Sequence, residues 1–206
     1  MTGNLKVSKK EFWEERYIQN NMPWDIGQVA PAFIKYLNNE KISTGTTAVL
    51  GSGLGHDAFY FASLNFPVYG FDFSESAIQS CNKLKEKNKV ENIYFYQKDF
   101  FEITKEKSWK NYFDFVVEHT TLCAIDPERR TEYIDLIKYL LKPGGKLIGL
   151  FFVRTKELGG PPFGSTPEEI RKLFSADFTE VFKLCKEECL HEDKLKGDEY
   201  FGVFRK

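Results

Sequence analysis

Five apolar runs of strand length recur along the chain, Ala48–Leu50, Val68–Phe71, Ile93–Tyr96, Phe113–Val117 and Leu147–Phe152, and the stretches between them carry helical periodicity. Alternation of this kind predicts a parallel sheet covered by helices on both faces, an α/β fold. Helix punctuation agrees. Asp126-Pro127 places an N-cap and a first-turn proline before RRTEYIDLIKYLL, which is expected to stop at Lys142-Pro143-Gly144-Gly145. Thr166-Pro167-Glu168-Glu169 reads as a capping box ahead of IRKLF. Two late strands, near Phe178–Leu184 and Glu199–Phe204, are joined by KEECLHEDKLKGD, too polar for a crossover helix on the sheet. The last strand is therefore expected to run against the others. Ahead of the sheet, helices are expected over Lys9–Asn20, with Phe12, Trp13, Arg16 and Tyr17, and over about Ala32–Asn38.

At 206 residues and 42% hydrophobic content the chain suits one domain with a substantial core. Lys and Arg total 29 against 30 for Asp and Glu, so there is no global field for nucleic acid or anionic lipid, and a small-molecule partner is expected. Cys81, Cys123, Cys185 and Cys189 form neither C-x-x-C nor a Cys/His cluster with zinc spacing. They read as reduced thiols of a cytoplasmic protein, with no metal site expected. No signal-peptide run opens the sequence, and no stretch approaches transmembrane length.

Gly51, Gly53 and Gly55 follow the first strand and open a helix, where backbone N–H groups can receive a ligand closely. The dinucleotide fingerprint G-x-G-x-x-G would need glycine at position 56, which is His56, and no G-K-[ST] follows for a Walker loop. Asp72 ends the second strand, where a carboxylate can accept both ribose hydroxyls, and Asp99 ends the third, beside Phe100, which can stack on a base. Each acid alone reads equally as a solvated strand end. Together with the glycine loop they favour adenosine. A nicotinamide-dependent short-chain reductase is the rival enzyme, but the only Tyr-x-x-x-Lys, Tyr94 and Lys98, falls on a strand. A non-catalytic adenosine-binding module is the rival from outside enzymology.

The loop GSGLG, Asp72, Asp99 and LLKPGGKL resemble the class I S-adenosylmethionine-dependent methyltransferases. More narrowly, W-x-x-x-Y…PWDIG from Trp13 to Gly27, G-x-G-x-G-H-D from Gly51 to Asp57, FDFVVEHTTLCAIDPERR from Phe113 to Arg130 and GGPPFG from Gly159 to Gly164 resemble the thiopurine methyltransferase superfamily, within it the thiol and halide methyltransferases. Tyr17 stands where relatives often carry Trp, and His119 where many have Tyr. The resemblance implies a Rossmann-like, seven-stranded, mostly parallel sheet with its last strand antiparallel, helices on both faces, and an N-terminal helical lid (1–40) before the core (41–206). It implies that Trp13, Tyr17 and Trp24 close over S-adenosylmethionine, that Gly51, Gly53 and Asp72 bind it, that Asp99 and Phe100 hold the adenine, and that Glu118 and His119 line the methionine end.

The implied reaction is in-line methyl transfer to a small soft nucleophile: thiol, hydrosulfide, thiocyanate, halide or thiopurine-like thiol. S-adenosylhomocysteine is the co-product. An ionised soft anion needs positioning and dehydration rather than a general base. Trp13, Arg130 and Phe163 are expected at the acceptor, with Arg130 favouring an anion and His119 able to relay a proton. The plainer alternatives are an Arg130 ion pair with Asp126 or Glu132 and a hydrogen-bonded strand-end His119. Cys123 reads as a packed residue, since the transfer needs no covalent enzyme intermediate. The strand-four exit EHTTLC, in place of an Asn/Asp-Pro-Pro-aromatic motif, speaks against methylation of nucleic-acid bases, and relatives of this size imply a monomer.

Overall fold

A computed structural model describes residues 6–191 and 195–206. The apolar runs form strands β1 (Thr47–Leu50), β2 (Val68–Asp72), β3 (Ile93–Gln97), β4 (Phe113–His119) and β5 (Leu141–Val153), followed by β6 (Thr179–Glu187) and β7 (Asp198–Arg205). They make one seven-stranded sheet in the order β3-β2-β1-β4-β5-β7-β6. β1 pairs in parallel with β2 and β4, β2 with β3, and β4 with β5, whereas β7 runs antiparallel to both β5 and β6. This is the predicted topology, with β6 and β7 as the antiparallel hairpin.

Every residue of β1 is buried, because its alternating side chains enter two cores. Ala48 and Leu50 join Tyr133 and Ile137 of α6 (Arg130–Leu140) and Ile170 and Phe174 of α7 (Pro167–Phe174) on one face. Val49 joins Phe33 of α2 (Pro31–Asn39) and Phe61 of α3 (His56–Ser63) on the other. Full burial of a single Leu or Phe side chain stabilises by roughly 1.5–3 kcal/mol, so covering both faces fixes the register of the central strands. The Thr166 capping box before α7 is present, with Thr166 and Glu169 exchanging side-chain-to-backbone hydrogen bonds.

Three element boundaries depart from expectation. Helix α6 ends at Leu140, and Leu141 to Gly145 instead begin β5. The register jumps there, Phe113 facing Leu141 but Phe115 facing Lys146, since Gly144 N–H donates to the Lys206 carbonyl and Lys206 N–H to that of Gly145. The C-terminal residue thus recruits the glycine turn into the sheet. The first helix, α1 (Lys10–Ile18), stops short of Asn20, whose φ of 52° is left-handed. Among the described residues no helix is long and apolar enough to cross a membrane.

Candidate active site

The order of the strands reverses between β1 and β4, and ligands of open parallel sheets bind outside the carboxyl ends at such a switch point. A cavity of about 230 Å³ lies there, lined by Trp13, Tyr17 and Trp24 above, Gly51 and Asp72 at the strand ends, and His119, Cys123, Phe152 and Pro162 farther along the sheet. A smaller cavity of about 60 Å³ adjoins it at the glycine loop, with Tyr17, Trp24, Gly51 and His119 in both walls.

Gly51 must be glycine, with a φ of +64° and a Cβ position only 2.8 Å from Thr121 Oγ1. A Cβ on Gly53 would crowd the Tyr17 hydroxyl at 3.1 Å, so the glycine loop and α1 meet closely here. Asp72, the last residue of β2, accepts from Gly53 N–H at 2.8 Å and from Ser74 N–H at 2.9 Å. Burial pushes its carboxyl up, and these backbone donors oppose that shift. Next to it Phe73 and Phe100 line the cavity with ring centroids 6.3 Å apart at 31°, leaving two apolar faces beside the Asp72 carboxylate. Asp99 is placed outside the cavity wall, capping a short 3-10 helix (Phe100–Lys105) by accepting from Phe101 N–H at 2.9 Å.

The N-terminal segment is pinned over this site by acids. Glu14 of α1 accepts from the Ser74 and Ser76 hydroxyls, each at 2.6 Å, at the start of α4 (Glu75–Asn88). Burial would raise its carboxyl, but these hydrogen bonds outweigh it and hold the pKa low. Trp24 meets Trp13 and Tyr17 edge-on, at 5.4 and 5.9 Å between centroids. Below Trp24, Asp25 lies 3.1 Å from His56 Nε2, and Asp57 Oδ1 accepts from Ala30 N–H at 3.0 Å.

Asp57 also reaches the exit of β4, where its Oδ2 sits 2.7 Å from His119 Nδ1. Burial would lower the His119 pKa, yet Asp57 on one edge and Glu199 on the other raise it to about 10. Glu199, opposed by burial but faced by His119 and His191, is held down at about 2. Glu118 turns inward instead of lining the cavity: it is wholly buried, accepts from Leu122 N–H at 2.6 Å, and is pushed up to about 7 by desolvation. Cys123 lines the cavity, but burial, with Glu118 nearby, keeps its thiol well above the ordinary range and unreactive.

Arg130 is placed behind the cavity wall. Its guanidinium donates to the carbonyls of Phe163 and Gly164 at 3.2 Å, anchoring the GGPPFG loop. Its neighbour Arg129 lines the cavity, with its guanidinium 3.5 Å above the Phe101 ring and paired to Glu132. Phe163 N–H donates to the Cys123 carbonyl and its ring folds back over Gly160, so Pro161 and Pro162 supply the loop's cavity wall. Tyr94, expected to be a chance match to the reductase motif, is exposed on β3, and Lys98 pairs with Glu106. The sequence reading missed Phe73, Arg129, His191 and Glu199, which no local spacing marks, and Glu14, which looked like one more solvated acid of a polar helix.

The family profile described as thiopurine S-methyltransferase matches residues 8–204. Thiocyanate methyltransferase 1 of Arabidopsis thaliana is 34% identical over 171 residues, covering 80% of this chain and 73% of the relative. Probable thiol methyltransferase 2 of the same organism is 31% identical over 195 residues, covering 94% and 84%. Among solved structures, a 1,6-didemethyltoxoflavin-N1-methyltransferase of Burkholderia thailandensis with bound S-adenosylhomocysteine superposes with a TM-score of 0.77 at 19% identity, covering 97% of this chain and 87% of that one. At that identity the likeness is one of fold.

Proposed function

Since the chain belongs to the thiopurine S-methyltransferase family, we propose that it methylates a small thiol or another soft sulfur anion such as thiocyanate, using the cavity at the β1–β4 switch point. The observation that carries this reading is the division of that cavity: Asp72, Phe73 and Phe100 at one end, and an aromatic and proline wall with His119 at the other. The first end fits an adenosine, with a carboxylate for ribose hydroxyls and two apolar faces for the base. The adjoining space at Gly51, Gly53 and His119 suits the amino-acid tail. When bound, S-adenosylmethionine supplies a methyl group on a cationic sulfonium.

The chain's own residues do the rest. Trp13, Tyr17 and Trp24 exclude water and offer electron-rich faces to a cation. Cys123, Phe152, Pro161 and Pro162 give a dry wall against which a soft anion loses its hydration shell. Holding donor and acceptor in line there converts a slow bimolecular displacement into a unimolecular one. Arg130 acts from behind by fixing the loop that carries Pro161 and Pro162. Of the 1–40 segment expected as the lid, the described residues 6–40 serve as that cover, anchored by Glu14. Iodide shares the softness of thiocyanate and belongs to the same acceptor class. The four free cysteines support a reducing, cytoplasmic setting, and a monomer is the working unit expected of a chain of this size.

The test is formation of S-adenosylhomocysteine from S-adenosylmethionine with hydrosulfide, thiocyanate, an aromatic thiol and iodide offered in parallel. Turnover with a sulfur acceptor above the acceptor-free rate is expected. Tight cofactor binding without turnover on any acceptor would overturn the reading in favour of a binding module.

A further inference from the structure

Glu199, at the head of β7, is 2% exposed and lies directly behind the acceptor wall. Its Oε1 faces two imidazoles, His191 Nε2 at 3.1 Å and His119 Nε2 at 3.5 Å. Neither contact is aligned as a hydrogen bond, and among the described residues all three atoms are buried without a partner. Three buried polar atoms that converge on one point without an aligned hydrogen bond can share a cation, because a carboxylate oxygen and an unprotonated imidazole nitrogen are both electron donors.

The tautomer at His119 fits that demand. Its Nδ1–H donates to Asp57 Oδ2 at 2.7 Å, so Nε2 is the nitrogen that offers a lone pair once its proton is displaced. A carboxylate holding the far nitrogen is the usual support of a metal-binding imidazole. All three donor atoms lie within 4.8 Å of one another. Metal–ligand bonds of about 2.0–2.2 Å set neighbouring ligands roughly 3.3–3.5 Å apart, so small side-chain shifts would close the set. Both imidazoles also line the large cavity, so a metal held by these three residues keeps a coordination position facing it.

We propose that His119, His191 and Glu199 bind one divalent transition metal, of which zinc is the best match, at the acceptor end of the cavity. Two imidazoles, one carboxylate and an open fourth position form a catalytic type of zinc site. The metal takes the place of the proton on His119 Nε2. Resting on the methyl-transfer reading, the open position takes the acceptor: a thiol releases its proton to solvent as the sulfur–metal bond forms. The sulfur then gains the methyl group, the sulfur–metal bond breaks, and a neutral thioether departs. A thiolate is thereby available below the ordinary thiol pKa.

The experiment is zinc binding by the full chain without a polyhistidine tag, measured by equilibrium dialysis and atomic emission after chelator treatment. One zinc per chain is expected, with at least tenfold weaker binding in Glu199→Gln and in His191→Gln, both checked for fold by circular dichroism. Absence of stoichiometric zinc in the unaltered chain, or undiminished binding in both variants, would overturn the site. With cobalt substituted, an added aromatic thiol should produce a sulfur-to-metal charge-transfer band, and its absence would overturn the acceptor role. Metal bound as expected, with no methyl transfer to any acceptor, would count against the methyl-transfer reading and leave the metal site standing.

Discussion

Asp72 is placed where one side chain holds the glycine loop and also faces the cavity. Its carboxylate oxygens accept from Gly53 and Ser74, which closes the glycine loop onto the end of β2, and the residue still lines the cavity. Hydrogen bonds to a charged group contribute about 1.5–3 kcal/mol each. Asp72→Ala is therefore expected to weaken S-adenosylmethionine binding about 10- to 100-fold by calorimetry, and to lower the melting temperature as two backbone donors lose their acceptor. Unchanged affinity would remove Asp72 from the binding site. Cys123 makes the opposite point: a reactive residue type on the cavity wall can be disarmed by burial, its thiol donating to the Thr120 carbonyl at 2.9 Å.

Among the elements, the GGPPFG loop depends on one guanidinium. Arg130, the first residue of α6, spends its donors on the Phe163 and Gly164 carbonyls across the cavity's rear wall. Arg130→Gln should lower the melting temperature by several degrees, at about 2–4 °C per kcal/mol for a chain of this size, and raise KM for the acceptor while leaving cofactor affinity near that of the unaltered chain. An equal loss of both affinities would contradict a loop-anchoring role. The elements themselves were largely legible in the sequence. Strand positions, the antiparallel end and the α7 capping box follow from apolar periodicity and helix punctuation, which are local signals. Arg130 illustrates what was not. The family resemblance implied that Arg130 stands near the acceptor, but whether residue 129 or 130 faces the cavity depends on the rotation of the turn before α6, a packing outcome no short motif encodes. The same holds for His191 and Glu199, which meet His119 only because β7 lies against β5 and brings its head to the strand-four exit.

At the scale of the whole molecule, the N-terminal segment and the sheet are joined by titratable contacts. His56, at the start of α3, keeps its pKa above the ordinary 6.5 chiefly through Asp25, and the same contact lowers Asp25 below its ordinary 3.8. The His56 share of the clamp is complete below its unfolded value and is lost as pH rises through the folded one. The Asp25 share is present above its unfolded value and is lost as pH falls through its folded one. Cofactor affinity is thus expected to be level in mildly acidic solution and to decline towards alkaline pH, with His56→Asn flattening that decline in a pH series of binding isotherms. A decline of the same size in His56→Asn would place its origin elsewhere. Asp57 carries the coupling one step further, since one of its oxygens receives the Ala30 N–H of the overlying segment and the other holds the His119 imidazole. The segment over the glycine loop and the imidazole at the strand-four exit hang on a single carboxylate, so a change at Asp57 disturbs both walls of the cavity at once.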